Sequence, residues 1–264
     1  MPSSHDLDQL ARRRLRGAFL GGIVVAVIVA AAVVSLLHRE PSGTSLTAAA
    51  SPAVVTTGAS TTPSMPPTAS DPSGYVRPDR WVELPEPTAT QAERYPVRFP
   101  HRPAGAAAAA AALYQASWTL DAAHAAKAVQ VYIDPADRAA TREEAVQGAG
   151  WFRRQLGFDT EAALPPEASI LVQPTGVRWT SRDSDNIIVN LNLQVDLMAS
   201  REQPVTNTSG AVTVHMRWHP EIRGGDWLAV RTPADQMPAL RYAEPGSAEF
   251  NLLGWSAIRP AKAR

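Results

Sequence analysis

The sequence predicts an α+β chain: an N-terminal transmembrane helix, a disordered linker, and an outer domain in which helices pack on a four-stranded antiparallel sheet. Three observations predict it. One apolar run, Ala18 to Leu37, holds no charged residue. A stretch rich in Ser, Thr, Pro and Ala comes after it without any apolar period. Beyond that, helical spacing over residues 103–156 gives way to alternation of apolar and polar residues from Ile187. Helices followed by a meander of strands make a layered α+β fold.

The run of 20 residues from Ala18 to Leu37, at about 1.5 Å of rise each, matches the roughly 30 Å of bilayer hydrocarbon. Arg12, Arg13, Arg14 and Arg16 stand just before it. The positive-inside bias then places residues 1–17 in the cytoplasm as a short tail and everything after the span outside the cell membrane. A cleaved secretory signal would have a shorter apolar region of about 7–15 residues and small residues at its end. Here the run closes on Leu36, Leu37, His38 and Arg39, so the expectation is an uncleaved signal anchor of a single-pass protein, with the lipid bilayer as its first partner.

Residues 38–90 read as a Pro/Ser/Thr/Ala-rich linker. Their apolar content is too low to offset the conformational entropy of folding, so a flexible tether is expected. From Arg77 to Pro103 apolar residues return (Trp81, Val82, Leu84, Tyr95, Val97, Phe99), but Pro78, Pro85, Pro87, Pro96, Pro100 and Pro103 interrupt them. Proline lacks the ladder N–H, and an extended strap packed on the next domain is expected.

Residues 91–264 form the outer α+β domain. Pro103 suits the first turn of a helix through Trp118, and its alanine run is the best helix former. A second helix covers Leu120 to Ile133. Asp134-Pro135 reads as a cap followed by proline at the first position. Thr141 to Glu144 matches a capping box, and Val146, Ala149, Phe152 and Leu156 succeed it at helical spacing up to Gly157. A third helix is therefore expected over 141–156. Next, Ile187, Val189, Leu191, Leu193, Val195 and Leu197 alternate with Ile188, Asn190, Asn192, Gln194, Asp196 and Met198, which reads as a strand with one core face and one largely polar face. Val212, Val214, Met216 and Trp218 repeat the pattern, and residues 170–179 and 227–231 supply two more strands. Pro174 and Gly176 point to an edge or a bulge in the first of these. Turn chemistry at Arg182–Asn186, Pro204–Thr208 and Arg223–Asp226 connects them. Leu252, Leu253, Trp255 and Ile258 are expected to cover part of the core.

Composition narrows the function. The chain has 25 basic and 25 acidic residues and no cysteine. From Gln91 onward the balance is 18 to 18, without the basic excess of a nucleic-acid surface, so no direct nucleic-acid binding is expected. Thiol catalysis, disulfides and Cys-ligated metals are excluded. His215 and His219 lie four apart, but on a strand that spacing is about 13 Å, too far for one ion. Asp183, Asp185 and Asn186 lack the remaining ligands of a calcium loop and read as a hairpin turn. Asp196 on the polar strand face would become a general base only inside a desolvating pocket. Asn207-Thr208-Ser209 is a formal sequon and reads as a polar turn. Trp151, Trp179, Trp218, Trp227 and Trp255 read as core. No nucleophile elbow, phosphate-cradling glycine loop or zincin motif occurs. No catalytic, cofactor or metal residue is assigned, and the chain is read as not an enzyme.

The order of these parts resembles the bitopic scaffold proteins of conjugative transfer systems, whose outer domains have the nuclear transport factor 2-like fold. The stretch Tyr95 to Gly105 (YPVRFPHRPAG) with the alanine run after it is similar to membrane proteins of actinobacterial integrative and conjugative elements. Mce-associated membrane proteins share the layout. The resemblance implies a nuclear transport factor 2-like outer domain and carries over no functional residue. The function expected is a membrane-anchored, non-enzymatic scaffold or accessory subunit of an envelope machine, with conjugative DNA transfer as the process and protein partners or a homo-oligomer as its company. The alternatives are an extracytoplasmic lipid- or small-ligand-binding module and, behind it, an isomerase-type enzyme.

Overall fold

The computed structural model describes residues 74–233 and 240–259. Along the chain they form β1 (Trp81–Val82), β2 (Ala89–Gln91), β3 (Tyr95–Val97), α1 (Pro103–Ser117), α2 (Ala122–Tyr132), a 3-10 turn (Pro135–Asp137), α3 (Arg138–Gln155), β4 (Ser169–Ser181), β5 (Asn186–Met198), β6 (Thr206–His219), β7 (Asp226–Val230), α4 (Ala248–Leu252) and β8 (Ser256–Ile258). The main sheet has six strands in the order β1-β8-β4-β5-β6-β7, and β2 and β3 form a separate two-stranded sheet. β1 and β8 pair in parallel, and every other pair is antiparallel.

This corrects the expected four-stranded antiparallel, nuclear transport factor 2-like sheet. The meander β4-β5-β6-β7 is present, but two edge strands extend it into a mixed sheet. Each is two or three residues long, too short to carry a period of two. The anchor is corrected as well. The run Ala18–Leu37 lies outside the described residues, and among those described no helix is long and apolar enough to cross a membrane. The transmembrane, single-pass and signal-anchor assignments, and the cell-membrane localisation built on them, therefore have no support in the structure. Residues 74–90, read as the end of the tether, contribute β1 and the start of β2.

One face of the sheet carries the helices. Ile187, Val189, Leu191, Leu193, Val195 and Leu197 of β5 are all buried on it. α1 lies across this face, buried along its whole length from Gly105 to Tyr114. A helix apolar on every side belongs in an interior, and alanines let the sheet and α2 approach closely on opposite sides. Asp121 caps α2 by accepting from the backbone N–H groups of Ala123 and His124. At the other end of α2, Ile133 bridges Ala229 of β7 in parallel. The Asp134-Pro135 cap opens the 3-10 turn, which runs straight into α3. α3 thus begins before the capping box, and Thr141 is interior, its hydroxyl donating back to Asp137 O at 2.9 Å.

A second layer covers part of the opposite face. Phe250, Trp255, Ala257 and Ala243 make a small core there with Ala211 and Leu253. Phe250 lies so close to Gly176 that a Cβ on the glycine would sit 2.8 Å from its ring. The register slips between Pro174 and Gly176 at this point. Asn192 is fully buried beneath the layer and exchanges two hydrogen bonds with the backbone of Ala243, at 3.0 and 3.2 Å.

Candidate functional site

A broad concavity lies on the helical side, between the start of α2, the middle of α3 and the loop after α3. It measures about 830 Å³ and is lined by Asp121, Ala122, Ala123, Gln147, Gly150, Arg153, Arg154 and Glu161 among others. Helical periodicity builds its wall: Gln147, Gly150, Arg153 and Arg154 fall on neighbouring turns of one face. Arg153 braces it, with Nε donating to Leu120 O at 2.9 Å and Nη1 to Thr160 O. The guanidinium thus holds the α1–α2 turn and the loop 159–164 against α3. Ala122, Ala123, Ala149 and Gly150 keep the groove deep, and a Cβ on Gly150 would meet Thr160 Cγ2 at 3.1 Å. Val146 also lines the groove and is exposed, although its spacing with Ala149 and Phe152 reads as core. Asp121 is committed as the α2 cap. The lining combines small apolar groups with both signs of charge, which suits binding by shape and ion pairing.

A second cavity, between α1, α2 and α3, holds about 40 Å³ and is lined by Leu113, Tyr114, Val129 and Phe152 with Thr141 and Glu144. Burial raises the pKa of Tyr114 strongly. This volume is far below the several hundred Å³ that enclose a drug-sized ligand.

The turn end of the sheet gathers aromatic and ionic groups. His101 stacks on Trp218 at 4.2 Å with the rings 8° apart, and its Nε2 lies 2.8 Å from Asp185 Oδ1. The Trp218 indole also packs against Gly225, where a Cβ would be 2.5 Å from the ring. Asp226 is nearly fully buried and satisfied. It accepts from the backbone N–H groups of Arg98 (2.7 Å), Phe99 (3.3 Å) and Trp227 (2.9 Å) and from Arg223 Nε (2.9 Å). Arg223 in turn donates to Gln91 Oε1 and Val131 O. This node ties the proline-rich strap to α2 and to the β6–β7 turn. Trp227 Nε1 and Tyr132 OH add bonds to Pro100 O and Pro96 O.

The candidate residues of the sequence are not brought together. His215 sits on β6, half-buried. Burial, then Arg182 and Arg217, lower its pKa, and its Nε2 is buried without a partner. His219 lies elsewhere, with Nε2 3.0 Å from Asp134 Oδ2 but outside hydrogen-bonding alignment, and Nδ1 2.9 Å from Glu221 Oε1. Asp183 accepts from Asn186 Nδ2 and from the N–H of Asp185, a turn closed on itself, and these bonds lower its pKa. Asp196 accepts from Gln173 Nε2 at 3.1 Å on the polar sheet face. Asn207 is exposed on β6. Trp227 and Trp255 are fully buried, with Arg178 over the Trp255 ring at 4.9 Å, while Trp151, Trp179 and Trp218 are partly buried. Among the described residues no group of three or more His, Cys, Asp or Glu is placed to hold a metal ion.

Neither the groove nor the Asp226 node is legible in the sequence. The groove depends on loop 159–164 folding back onto α3, which no local pattern encodes. Arg223-Gly224-Gly225-Asp226 reads as a plain turn until the strap is laid against it. No protein-family model, curated protein or solved structure matches the chain.

Proposed function

We propose that the domain is a non-enzymatic binding module, an accessory or scaffold subunit that takes an extended segment of a partner protein into the groove between α2 and α3. The observation that supports this reading is the groove: about 830 Å³, lined by the small residues Ala122, Ala123, Ala149 and Gly150 and by Arg154 and Glu161, with Arg153 and Asp121 engaged in holding its walls. Small lining residues let a foreign backbone approach closely, and Arg154 and Glu161 offer one charge of each sign to fix its register. A conjugation apparatus is one assembly such a subunit would serve. That part of the reading rests on the likeness of Tyr95 to Gly105 alone. The same volume lies within the range of small-molecule sites, which favours a small polar ligand as the second reading.

A photoreactive residue in place of exposed Val146, carried by the full chain in its native host, tests the proposal. The expected result is one discrete protein adduct that disappears when Gly150→Trp fills the groove. A matching probe at Asn207, away from the groove on β6, should give no such adduct. Absence of a protein adduct at Val146, or one that survives Gly150→Trp, would overturn the partner-segment reading. Protection of Val146 from labelling by a low-molecular-mass extract would turn it toward the small ligand.

A further inference from the structure

We propose that the cavity between α1, α2 and α3 is a binding site for a small uncharged molecule with an apolar body and one hydrogen-bonding oxygen, a short-chain ketone or alcohol. Two faces of α3 are in use. Gln147, Gly150 and Arg154 turn to the groove, whereas Thr141, Ala145, Gly148 and Phe152 turn to the cavity, as their helical spacing requires. Ala145 and Gly148 leave space that larger side chains would fill against Leu113 of α1 and Val129 of α2.

One hydroxyl defines the ligand. Tyr114 lines the cavity and is 4% exposed, and its hydroxyl has no hydrogen-bond partner among the described residues. A buried tyrosine hydroxyl ordinarily finds one. The polar groups of α3 beside it are committed: Thr141 donates to Asp137 O, and Glu144 accepts from Arg231. Ser117 is half-buried and in reach of water. Most of the remaining wall is apolar, with Leu113, Trp118, Val129 and Phe152 as its large members.

Size and charge set the class. The cavity holds about 40 Å³, the room of about three waters, and so admits a ligand of about three or four non-hydrogen atoms. A buried water needs about two to four polar partners, more than this wall offers. An apolar body with a single oxygen satisfies the hydroxyl and the wall together. Burial raises the pKa of Tyr114 because the surroundings disfavour charge, and the same surroundings exclude a carboxylate or an ammonium group.

Titration of acetone into the methyl-labelled full chain, followed by NMR, tests the proposal. The expected result is saturable shifts at the Leu113 and Val129 methyls, with a dissociation constant on the order of millimolar for so small a ligand. Acetate has nearly the same shape but carries a charge, and should give none. Tyr114→Phe should weaken binding about fivefold, the worth of one hydrogen bond, without lowering the melting temperature, because no bond within the protein is lost. Ala145→Leu should fill the cavity and abolish binding. Shifts that never saturate, equal binding of acetate, binding that survives Ala145→Leu, an affinity untouched by Tyr114→Phe or a lower melting temperature in that variant would overturn it. The Val146 adduct reports on the other face of α3, so either reading can fail alone.

Discussion

Asp226 joins the strap to the β6–β7 turn. Its buried carboxylate accepts four hydrogen bonds, two from the strap at Arg98 and Phe99 and two from its own turn at Arg223 and Trp227. Removing one member of a buried, hydrogen-bonded pair leaves the other charge uncompensated, at a cost of about 3–5 kcal/mol. Asp226→Ala should lose that much in urea unfolding, with proteolysis opening first in the strap near Arg98. A loss below about 1 kcal/mol, less than a typical charged hydrogen bond, would mean that the strap is held by Trp227 and Tyr132 alone. At this scale the sequence is a poor guide. Asp226 comes after two glycines, and turn chemistry explains it fully without a distant partner. Arg98, with a positive φ of 61°, carries no local mark of that conformation.

Elements are more legible than their joints. The helices and the long strands are marked by their period, and the bulge by Pro174 and Gly176. α3 begins ahead of its capping box because the Asp134 cap starts a turn that never breaks. Gly105 shows why propensity misleads at a joint. It interrupts an alanine-rich helix, and Ala would be favoured by roughly 1 kcal/mol in an exposed helix interior. Here a Cβ would lie 1.9 Å from Pro100 O, because the strap folds back onto the first turn of α1. Gly105→Ala is therefore expected to lower the melting temperature, while Ala106→Gly, at a buried site without that clash, should show only a helix-propensity loss plus one methyl. A stabilised Gly105→Ala would show that Pro100 can move aside freely.

For the whole molecule, acid stability should fall in two stages. Burial lowers the pKa of His215 and of His124 from the ordinary 6.5, with nearby arginines adding to the effect. The unfolded chain then takes up these protons first, so stability declines as pH drops below about 6.5. Asp183 and Glu221 are held below their ordinary values of 3.8 and 4.5 by hydrogen bonds. Their stabilisation is present above those values and is lost as pH falls below them through the depressed folded values. Urea midpoints at about pH 7.5 and about pH 5.5, on either side of the ordinary histidine value, should differ, and His215→Gln should narrow the gap. An unchanged gap would assign the first stage to other groups. The overall topology is the least legible part. It depends on β1 and β8, short strands from opposite ends of the described chain, which only tertiary packing joins to the meander.

That parallel pair has a mechanical consequence. The chain enters β1 at one end of the strand pair and leaves β8 at the other. Tension applied between residues 74 and 259 would pull the two strands lengthwise past each other. The bonds from Ala257 N to Arg80 O and from Arg259 N to Val82 O would then bear the load together instead of parting in succession, as they do when a hairpin is peeled. A clasp this short would yield before the long meander behind it and release β1 while β4, β5 and β6 remain paired.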